Sequence, residues 1–204
     1  MVSNGWHFAI PRVYQSTGHT DSNGPSNIKN ARAGGMSYVD GYIFPCSTCG
    51  TSGASQVSAT VSYLKNNGLE FVYNANVTAD SDLFGEWRET ETNGANFGML
   101  WLDIEGAGSY WGSSTSTNVN FIQSMVDECS ALGVSCGIYT SSSQWSPITG
   151  NTSKFSSKPL WYAHWDGKQT FSDFSAFGGW SSPSIKQYVG DTTLCSAGVD
   201  KNFY

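Results

Sequence analysis

Short apolar runs alternate with segments of helical periodicity along most of the chain, from Trp6 onward. This alternation is typical of βα units that build a mainly parallel sheet. The runs that predict strands are residues 8–14, 38–44, 99–104, 137–140, 160–165, 185–189 and 199–203. No internal repeat or linker divides the pattern. We therefore expect one α/β domain over residues 1–204.

Apolar residues at helical spacing predict helices over residues 26–33 and 55–64. A third helix is expected to begin at Thr117 or Asn118, either of which can cap it, and to continue to Leu132. The last three strands are separated mostly by segments rich in Ser, Gly and Pro, so we predict loops there rather than full helices.

The segment of residues 69–95 departs from this pattern. A brief apolar stretch at its start is followed by an acidic region that contains Asp80, Asp82, Glu86, Glu89 and Glu91. We interpret residues 69–95 as a surface insertion.

Composition narrows the function. Charged residues make up only 13% of the 204 residues against about 25% in an average domain, whereas aromatic residues reach 14%. The formal net charge of −6 argues against nucleic-acid or anionic-membrane binding, and no apolar run reaches the length of a membrane span. A surface rich in hydroxyl, amide and aromatic groups favours a neutral, hydroxyl-rich ligand such as a glycan.

Five cysteines in a chain of this size favour an oxidising compartment. Cys46 and Cys49 lack the second ligand pair of a zinc site, so a disulfide between them is the better interpretation. Another bridge is expected across the short turn between Cys129 and Cys136. Cys195 then remains, as a reactive thiol, an intermolecular bond, or the partner of a cysteine outside this chain.

Two sequons, at Asn76 and Asn151, are compatible with the secretory pathway. We find no export leader before Trp6 in the sequence given.

The sequence Trp101-Leu-Asp103-Ile-Glu105-Gly106 provides the strongest catalytic candidates. Residues two apart on a strand point to the same side, so Asp103 and Glu105 are expected to project together from a strand end. Neighbouring buried carboxyls have divergent pKa values, as acid catalysis of glycoside cleavage requires. The alternative is that both carboxylates merely solvate the strand end or cap the following turn.

Other polar and aromatic candidates carry structural alternatives. Asp40, Asp166 and Asp200 are each expected, on their own, to be surface or capping residues. Trp161, Ala163 and Trp165 share one strand face, which either stacks on sugar rings or belongs to the core.

The three histidines, His7, His19 and His164, are too scattered in the sequence for a metal site. We therefore predict no metal and no cofactor.

Several blocks, in order, resemble glycoside hydrolase family 25, the Chalaropsis-type lysozymes, in the form found in nematodes and protists. They are Phe8-Ala-Ile-Pro-Arg-Val-Tyr-Gln-Ser, Val39-Asp-Gly-Tyr-Ile-Phe-Pro-Cys, Trp101-Leu-Asp-Ile-Glu-Gly, Tyr139-Thr-Ser-Ser-Ser-Gln-Trp, Pro159-Leu-Trp-Tyr-Ala-His-Trp-Asp, Ile185-Lys-Gln-Tyr-Val-Gly-Asp and Val199-Asp-Lys-Asn. The resemblance implies an irregular, TIM-like β/α barrel of about five βα units plus extra strands.

The same resemblance implies hydrolysis of β-1,4 bonds in bacterial peptidoglycan by a monomer. Glu105 would be the general acid, Asp103 would orient or charge-stabilise the reacting group and could assist the 2-acetamido oxygen of the substrate as an internal nucleophile, and Asp200 would line the same cleft. Residues expected to contact sugar are Tyr42, Tyr139, Trp161 and Gln187.

Two departures from the family pattern affect these expectations. Members begin with a strand of the form Gly-Val-Asp-Val-Ser, whose Asp belongs to the active site, and no such strand precedes Trp6 here. A cysteine in the helix after that strand would pair with Cys195. The second departure is the segment of residues 69–95, which is longer than the family's direct passage from helix to strand.

We expect a secreted, endolysosomal or phagosomal antibacterial lysozyme. The alternatives are a catalytically impaired homologue that binds glycans, and a chitinase-like hydrolase.

Overall fold

A computed structural model describes Val2, residues 5–71 and residues 95–204 of the chain. The strands in these ranges are β1 (Phe8–Ala9), β2 (Arg12–Gln15), β3 (His19–Thr20), β4 (Tyr38–Val39), β5 (Gly41–Ile43), β6 (Leu69–Phe71), β7 (Ala95–Phe97), β8 (Leu100–Asp103), β9 (Cys136–Thr140), β10 (Leu160–Ala163), β11 (Ile185–Leu194) and β12 (Ala197–Phe203). The helices are α1 (Gly24–Ala33), α2 (Gly53–Asn66), α3 (Thr115–Ala131) and α4 (Ser142–Thr149).

The main sheet has eight strands in the order β12-β11-β10-β9-β8-β5-β2-β3 and curls into a half-barrel. Strands β2, β5, β8, β9, β10 and β11 run parallel, while β3 and β12 pair antiparallel at the two edges. The predicted α/β, TIM-like class is therefore confirmed. Parallel pairing brings the carboxyl ends of the central strands to one side of the sheet, where catalytic groups of barrels lie.

Two predicted strands are each divided in the structure. The apolar run 8–14 forms β1 and β2, which belong to different sheets, and the run 38–44 forms β4 and β5. Pro11 separates β1 from β2 and lacks a backbone N–H to donate to a ladder. Between β4 and β5 the chain changes its partner strand, because Asp40 N donates to Ala9 O at 3.0 Å whereas Gly41 N donates to Met99 O at 3.1 Å. The Asp40 carboxylate accepts hydrogen bonds from Met99 N at 2.9 Å and Trp101 Nε1 at 2.8 Å. Hydrophobicity continues through both breaks, so the pattern did not reveal them.

Two helix predictions were wrong. Helix α3 begins after Ser114, whose Oγ accepts a hydrogen bond from Thr117 N, so neither Thr117 nor Asn118 is the cap. Between β9 and β10 the chain forms the eight-residue helix α4, where mostly loop was expected. Its serines and Pro147 obscured it, because both residue types weaken helix propensity.

The core lies between the sheet and the helices. Val57, Val61 and Leu64 of α2 are buried, as are Ile122 and Met125 of α3. The two helices approach closely at Gly53, where an added Cβ would lie 2.5 Å from Met125 Cγ. A glycine at this position therefore allows the close packing of α2 and α3.

The two expected disulfides, Cys46–Cys49 and Cys129–Cys136, are present. The second joins the end of α3 to the start of β9. Cys195 is exposed and has a free thiol in the structure.

The predicted insertion falls largely outside the described residues, which exclude residues 72–94. The segments on either side, β6 and β7, pair as parallel strands, and Leu69 and Phe97 are fully buried. Single-domain organisation and the insertion over 69–95 both stay predictions. None of the helices in the described ranges is long and apolar enough to cross a lipid bilayer.

Candidate active site

An open cleft of about 820 Å³ lies against the inner face of the half-barrel. All seven residues predicted for the site line it: Tyr42, Asp103, Glu105, Tyr139, Trp161, Gln187 and Asp200. They come from β5, β8, β9, β10, β11, β12 and the turn after β8. Strand register explains their convergence, since Asp103 is the partner of Tyr139 and Tyr139 the partner of Trp161.

Asp103 forms the floor of the cleft. It ends β8 and is only 4% exposed. Its Oδ1 is buried and has no hydrogen-bond partner among the residues that the structure describes. Burial, followed by the negative charges of Glu105 and Asp200, raises the pKa of Asp103 well above its ordinary value, although Arg12 opposes the shift. The carboxyl therefore binds its proton more tightly than an ordinary aspartate does, and its Oδ1 is available to accept a hydrogen bond.

Glu105 is partly exposed to the cleft, and its backbone is held in place. Its carbonyl oxygen accepts a hydrogen bond from Trp111 Nε1 at 2.9 Å. The next two amides, of Gly106 and Ala107, donate to Gln144 Oε1 at 2.8 and 3.0 Å. Partial burial and the charges of Asp200 and Asp191 raise the pKa of Glu105. A carboxyl of raised pKa that still faces the cleft is suited to donate a proton.

Asp200 stands at the rim, on β12. Its Oδ2 accepts a hydrogen bond from Gln187 Nε2 at 3.1 Å, and its Oδ1 accepts one from Asp191 N at 2.8 Å. Partial desolvation and the Asp191 charge raise its pKa, while the Asp191 amide opposes the shift. Three carboxyls with raised pKa values therefore face one cleft.

Aromatic rings form the wall of the cleft. Trp161 packs edge-to-face with Tyr139 at 4.7 Å and with Tyr42 at 6.3 Å between ring centroids. Its Nε1 donates to Asn202 Oδ1 at 2.8 Å, and the Tyr139 hydroxyl donates to Gln187 Oε1 at 2.7 Å. Burial is the main cause that raises the pKa of both tyrosines, so their hydroxyls stay protonated as donors.

Several cleft residues were not predicted as site residues. Arg12 lies at the start of β2, and its Nε donates to buried Asp21 at 2.8 Å. Asp191, with a φ of 50°, and Asn202 also line the cleft. Gln144 lies within the sequence block that starts at Tyr139 and resembles the family. Its distance in sequence from Glu105 did not indicate that its side chain holds the turn after Glu105.

The outer side of β10 and β11 carries a different charged group, which we call the Lys186 cluster: His164, Asp166, Asp173 and Lys186. Potential metal-ligand atoms of His164, Asp166 and Asp173 lie within 4.8 Å of one another. The fully buried Lys186 Nζ is 2.9 Å from Asp166 Oδ1 and 2.7 Å from Asp173 Oδ1. The single ammonium of Lys186 already pairs with both carboxylates, so we interpret the cluster as an ion-pair anchor.

Asp40 and Asp166, which were expected to be surface or capping residues, both accept hydrogen bonds within the fold. Asp40 is partly buried, and burial raises its pKa to about 6 against the two hydrogen bonds that it accepts. Asp166 accepts a hydrogen bond from Lys168 N at 2.9 Å. Neither residue lines the cleft.

Comparison with known sequences gives a consistent result. The family model described as Lysozyme-like protein 1 matches residues 1–74 and 73–188. Probable GH family 25 lysozyme 2 of Dictyostelium discoideum is 47% identical over 204 residues, which is 100% of this chain and 82% of that protein. Counting factor 50 of the same organism is 36% identical over 208 aligned residues, covering 100% of this chain and 59% of its own length.

Among solved structures, a muramidase from Trichobolus zukalii superposes with a TM-score of 0.72 at 25% identity. The match covers 100% of this chain and 84% of the muramidase chain.

Proposed function

Because the chain belongs to glycoside hydrolase family 25, we propose that it is a lysozyme that cleaves the β-1,4 bond between N-acetylmuramic acid and N-acetylglucosamine in bacterial peptidoglycan. The observation that carries this proposal is the meeting of Asp103, Glu105 and Asp200 in one aromatic-walled cleft, each with a raised pKa. Carboxyls near an apolar wall provide the acid that glycoside cleavage needs near neutral pH.

Glu105 is the general acid in this proposal. Its carboxyl is protonated in the resting site and donates that proton to the glycosidic oxygen as the bond to C1 breaks, so the leaving sugar departs as an alcohol. The carboxylate then takes a proton from the incoming water, which restores the starting state. Its raised pKa and exposure to the cleft support this role, and the hydrogen bonds from Trp111, Gly106 and Ala107 that fix its turn keep it in position.

Asp103 orients the 2-acetamido group of the substrate. Its unpartnered Oδ1 is suited to accept the acetamido N–H, which directs the acetamido carbonyl oxygen toward C1. That oxygen attacks C1 while the leaving sugar takes the proton of Glu105, giving a cyclic oxazolinium ion. Water then attacks C1, loses its proton to Glu105, and reopens the ring to the acetamide. In its ionised form Asp103 also stabilises the positive charge that develops on the acetamido group, with no proton transferred to or from Asp103 in these steps.

Asp200 and the aromatic wall complete the binding site. Asp200 keeps a negative charge near Glu105 and thereby favours the protonated acid. Tyr42, Tyr139 and Trp161 offer ring surface and hydroxyl groups to the sugars, and Gln187 connects Tyr139 to Asp200. No step in this scheme uses a metal or a cofactor.

The proposed setting is outside the cell or in an endolysosomal or phagosomal compartment, where the protein acts as an antibacterial monomer. Two disulfides support an oxidising environment.

The experiment that tests the proposal compares the chain with its Glu105→Gln variant on purified peptidoglycan. We expect the native chain to release reducing ends and the variant to lose activity by about 10³-fold, within the usual range for a general acid. Turnover that survives the substitution would refute the role of Glu105. Chitin oligomers tested in parallel distinguish a chitinase-like specificity.

A second candidate is a glycan-binding protein without turnover. The similarity to Counting factor 50, whose name denotes no hydrolase, favours keeping this candidate. Saturable binding to peptidoglycan with no release of reducing ends by the native chain would select it.

A further inference from the structure

One large aromatic side chain stands at the edge of the cleft without being buried. Trp165, just after β10, is 57% exposed, whereas Trp101, Trp145 and Trp161 are at most 4% exposed. Trp165 is also the most exposed large hydrophobic side chain in the described part of the chain. An exposed apolar surface of this size next to a cleft is a feature of ligand sites.

The indole of Trp165 is held in one orientation. Its Nε1 donates a hydrogen bond to Gln187 Oε1 at 2.7 Å. The ring lies against Gly190, where an added Cβ would be only 2.4 Å from Trp165 Cζ2. A hydrogen bond at one edge and a glycine beneath the ring therefore fix an exposed flat surface.

The residues on either side of Trp165 are fixed by the Lys186 cluster. His164 Nδ1 lies 2.5 Å from Asp173 Oδ2, and Asp166 Oδ1 lies 2.9 Å from Lys186 Nζ. The same ammonium also bonds Asp173 and the carbonyl oxygen of Thr170. This buried cation holds the loop from the outer face of the sheet. Trp165 is therefore already ordered in the free protein, and ligand binding causes little further loss of conformational entropy.

Trp165 is connected to the cleft through one side chain. Gln187 Oε1 accepts from both Trp165 Nε1 and the Tyr139 hydroxyl, and Gln187 Nε2 donates to Asp200. The ring itself lies outside the set of residues that line the cleft. Trp165 therefore adjoins the cleft through Gln187, next to Tyr139 and Asp200.

We infer that Trp165 is a stacking platform for one pyranose ring of a glycan chain, at a subsite beyond the bond that is cleaved. The inference rests on the proposed function for the identity of the glycan. A pyranose presents an apolar C–H face that matches one indole ring in size, whereas a stable protein partner needs a far larger buried surface. The Trp165 platform lengthens the stretch of polymer that the protein holds during cleavage.

The test measures binding of insoluble peptidoglycan by co-sedimentation, with Glu105→Gln present in every variant so that the polymer stays intact. We expect Trp165→Ala to weaken binding about tenfold, because the stacking surface for one sugar ring is lost. Trp165→Phe keeps an aromatic face and should stay within about threefold of the parent. Lys168→Ala, an exposed residue of the same loop, is the matched control and should change binding less than twofold.

Gly190→Ala provides a second route that leaves Trp165 in place. The added methyl group displaces the ring, and we expect at least threefold weaker binding. If Trp165→Ala fails to fold, this variant decides the question. Parent-like binding by folded Trp165→Ala or by Gly190→Ala would overturn the inference.

Release of reducing ends by the native chain, measured on the same peptidoglycan, separates this inference from the proposed function. Hydrolysis by the native chain, together with binding that is unchanged in Trp165→Ala, would refute only the inference about Trp165. Binding that depends on Trp165 in the absence of hydrolysis would refute the lysozyme proposal and retain the platform.

Discussion

Carboxyl groups lie on both faces of the main sheet, and their pKa values are shifted in opposite directions. On the inner face, burial is the main cause that raises the pKa values of Asp103 and Glu105. Negative charges add to it, those of Glu105 and Asp200 for Asp103 and those of Asp200 and Asp191 for Glu105. On the outer side, burial also acts to raise the pKa of Asp173, but hydrogen bonds from His164 and Lys186 outweigh it and lower that pKa to about 2. Two neighbouring residues of β11 point to opposite faces of the sheet. Lys186 pairs with Asp173 on the outer face, and Gln187 lines the cleft.

The difference lies in whether a carboxyl has a cation as its partner, and it separates the carboxyls proposed to be catalytic from those that anchor a loop. The Lys186 cluster gives its carboxylates a cation, and the result is an anchored loop. In the cleft, Asp103 keeps an oxygen without a hydrogen-bond partner among the described residues, and its pKa is raised. An unpartnered buried carboxyl destabilises the folded state, and the proposed catalytic role accounts for its presence on the inner side.

Among the variants that compare the two sides, Asp103→Asn should have the largest effect. Activity on peptidoglycan should fall at least about 100-fold, because asparagine keeps an oxygen acceptor but cannot carry the negative charge that stabilises the oxazolinium ion. The stability of the folded state should rise instead. A raised folded pKa means that the native state holds its proton more tightly, so stability declines as pH rises from about 4 through that folded pKa. The variant lacks this decline.

Denaturant titrations from pH 4 to 8 check the stability part of this prediction. The advantage of Asp103→Asn over the native chain should grow with pH. An advantage that is constant across this range would show that the pKa of Asp103 is not raised by folding.

Lys186→Met tests the outer side and should give the reverse pattern. Loss of the buried ammonium leaves Asp173 without its cation, and we expect the free energy of unfolding to fall by about 3 kcal/mol at pH 7. The change in kcat at a temperature where the variant is folded should be much smaller. Because the pKa of Asp173 is lowered, its contribution is present above about pH 4 and is lost as pH falls toward 2.

Chemical denaturation at pH 7 and pH 2.5 measures this effect. The difference between native chain and variant should shrink at the lower pH. If kcat falls as far as it does in Asp103→Asn, the division between an anchoring side and a catalytic side is wrong.

The smallest effect is a shift in pH dependence. Asp200 helps to raise the pKa of Glu105, and Asp191 does so less. In Asp200→Asn the pKa of Glu105 should fall, so the alkaline limb of kcat/KM moves to lower pH. Asp191→Asn should move it in the same direction by less. Asp127→Asn, on α3, is the matched control that should leave the limb unchanged.

A limb that moves to higher pH in Asp200→Asn would contradict the proposed coupling. Such a result would mean that Asp200 stabilises the ionised form of Glu105.

More of the candidate site residues than of the residues around them could be predicted from the sequence. Strand alternation led to Asp103 and Glu105, which both line the cleft although Glu105 lies in the turn after β8, and the resemblance to a family added Asp200 and the residues expected to contact sugar. Arg12 and Asp191 were missed because their approach to the cleft depends on closure of the sheet, which local spacing does not encode. The burial of Lys186 was equally hidden, since a lysine within an apolar strand gives no sign of where its ammonium is paired.

The fold followed from periodicity wherever an apolar run and a strand coincide, as in β8 and β9. The prediction from periodicity failed where the chain changes its partner strand within an apolar run, as at Pro11 and Asp40. It also failed where tertiary contacts support a helix of weak propensity, as in α4, whose Trp145 is fully buried. Sequence patterns report burial well and hydrogen-bond partners poorly.

The most direct test of Glu105 as general acid uses a substrate whose leaving group needs no proton. On peptidoglycan, Glu105→Gln should be about 10³-fold slower than the native chain. On a 4-nitrophenyl glycoside of the N-acetylglucosaminyl-N-acetylmuramic acid disaccharide, release of 4-nitrophenol in the first turnover should stay within about tenfold, because that phenolate leaves without protonation. Equal losses on both substrates would contradict the account.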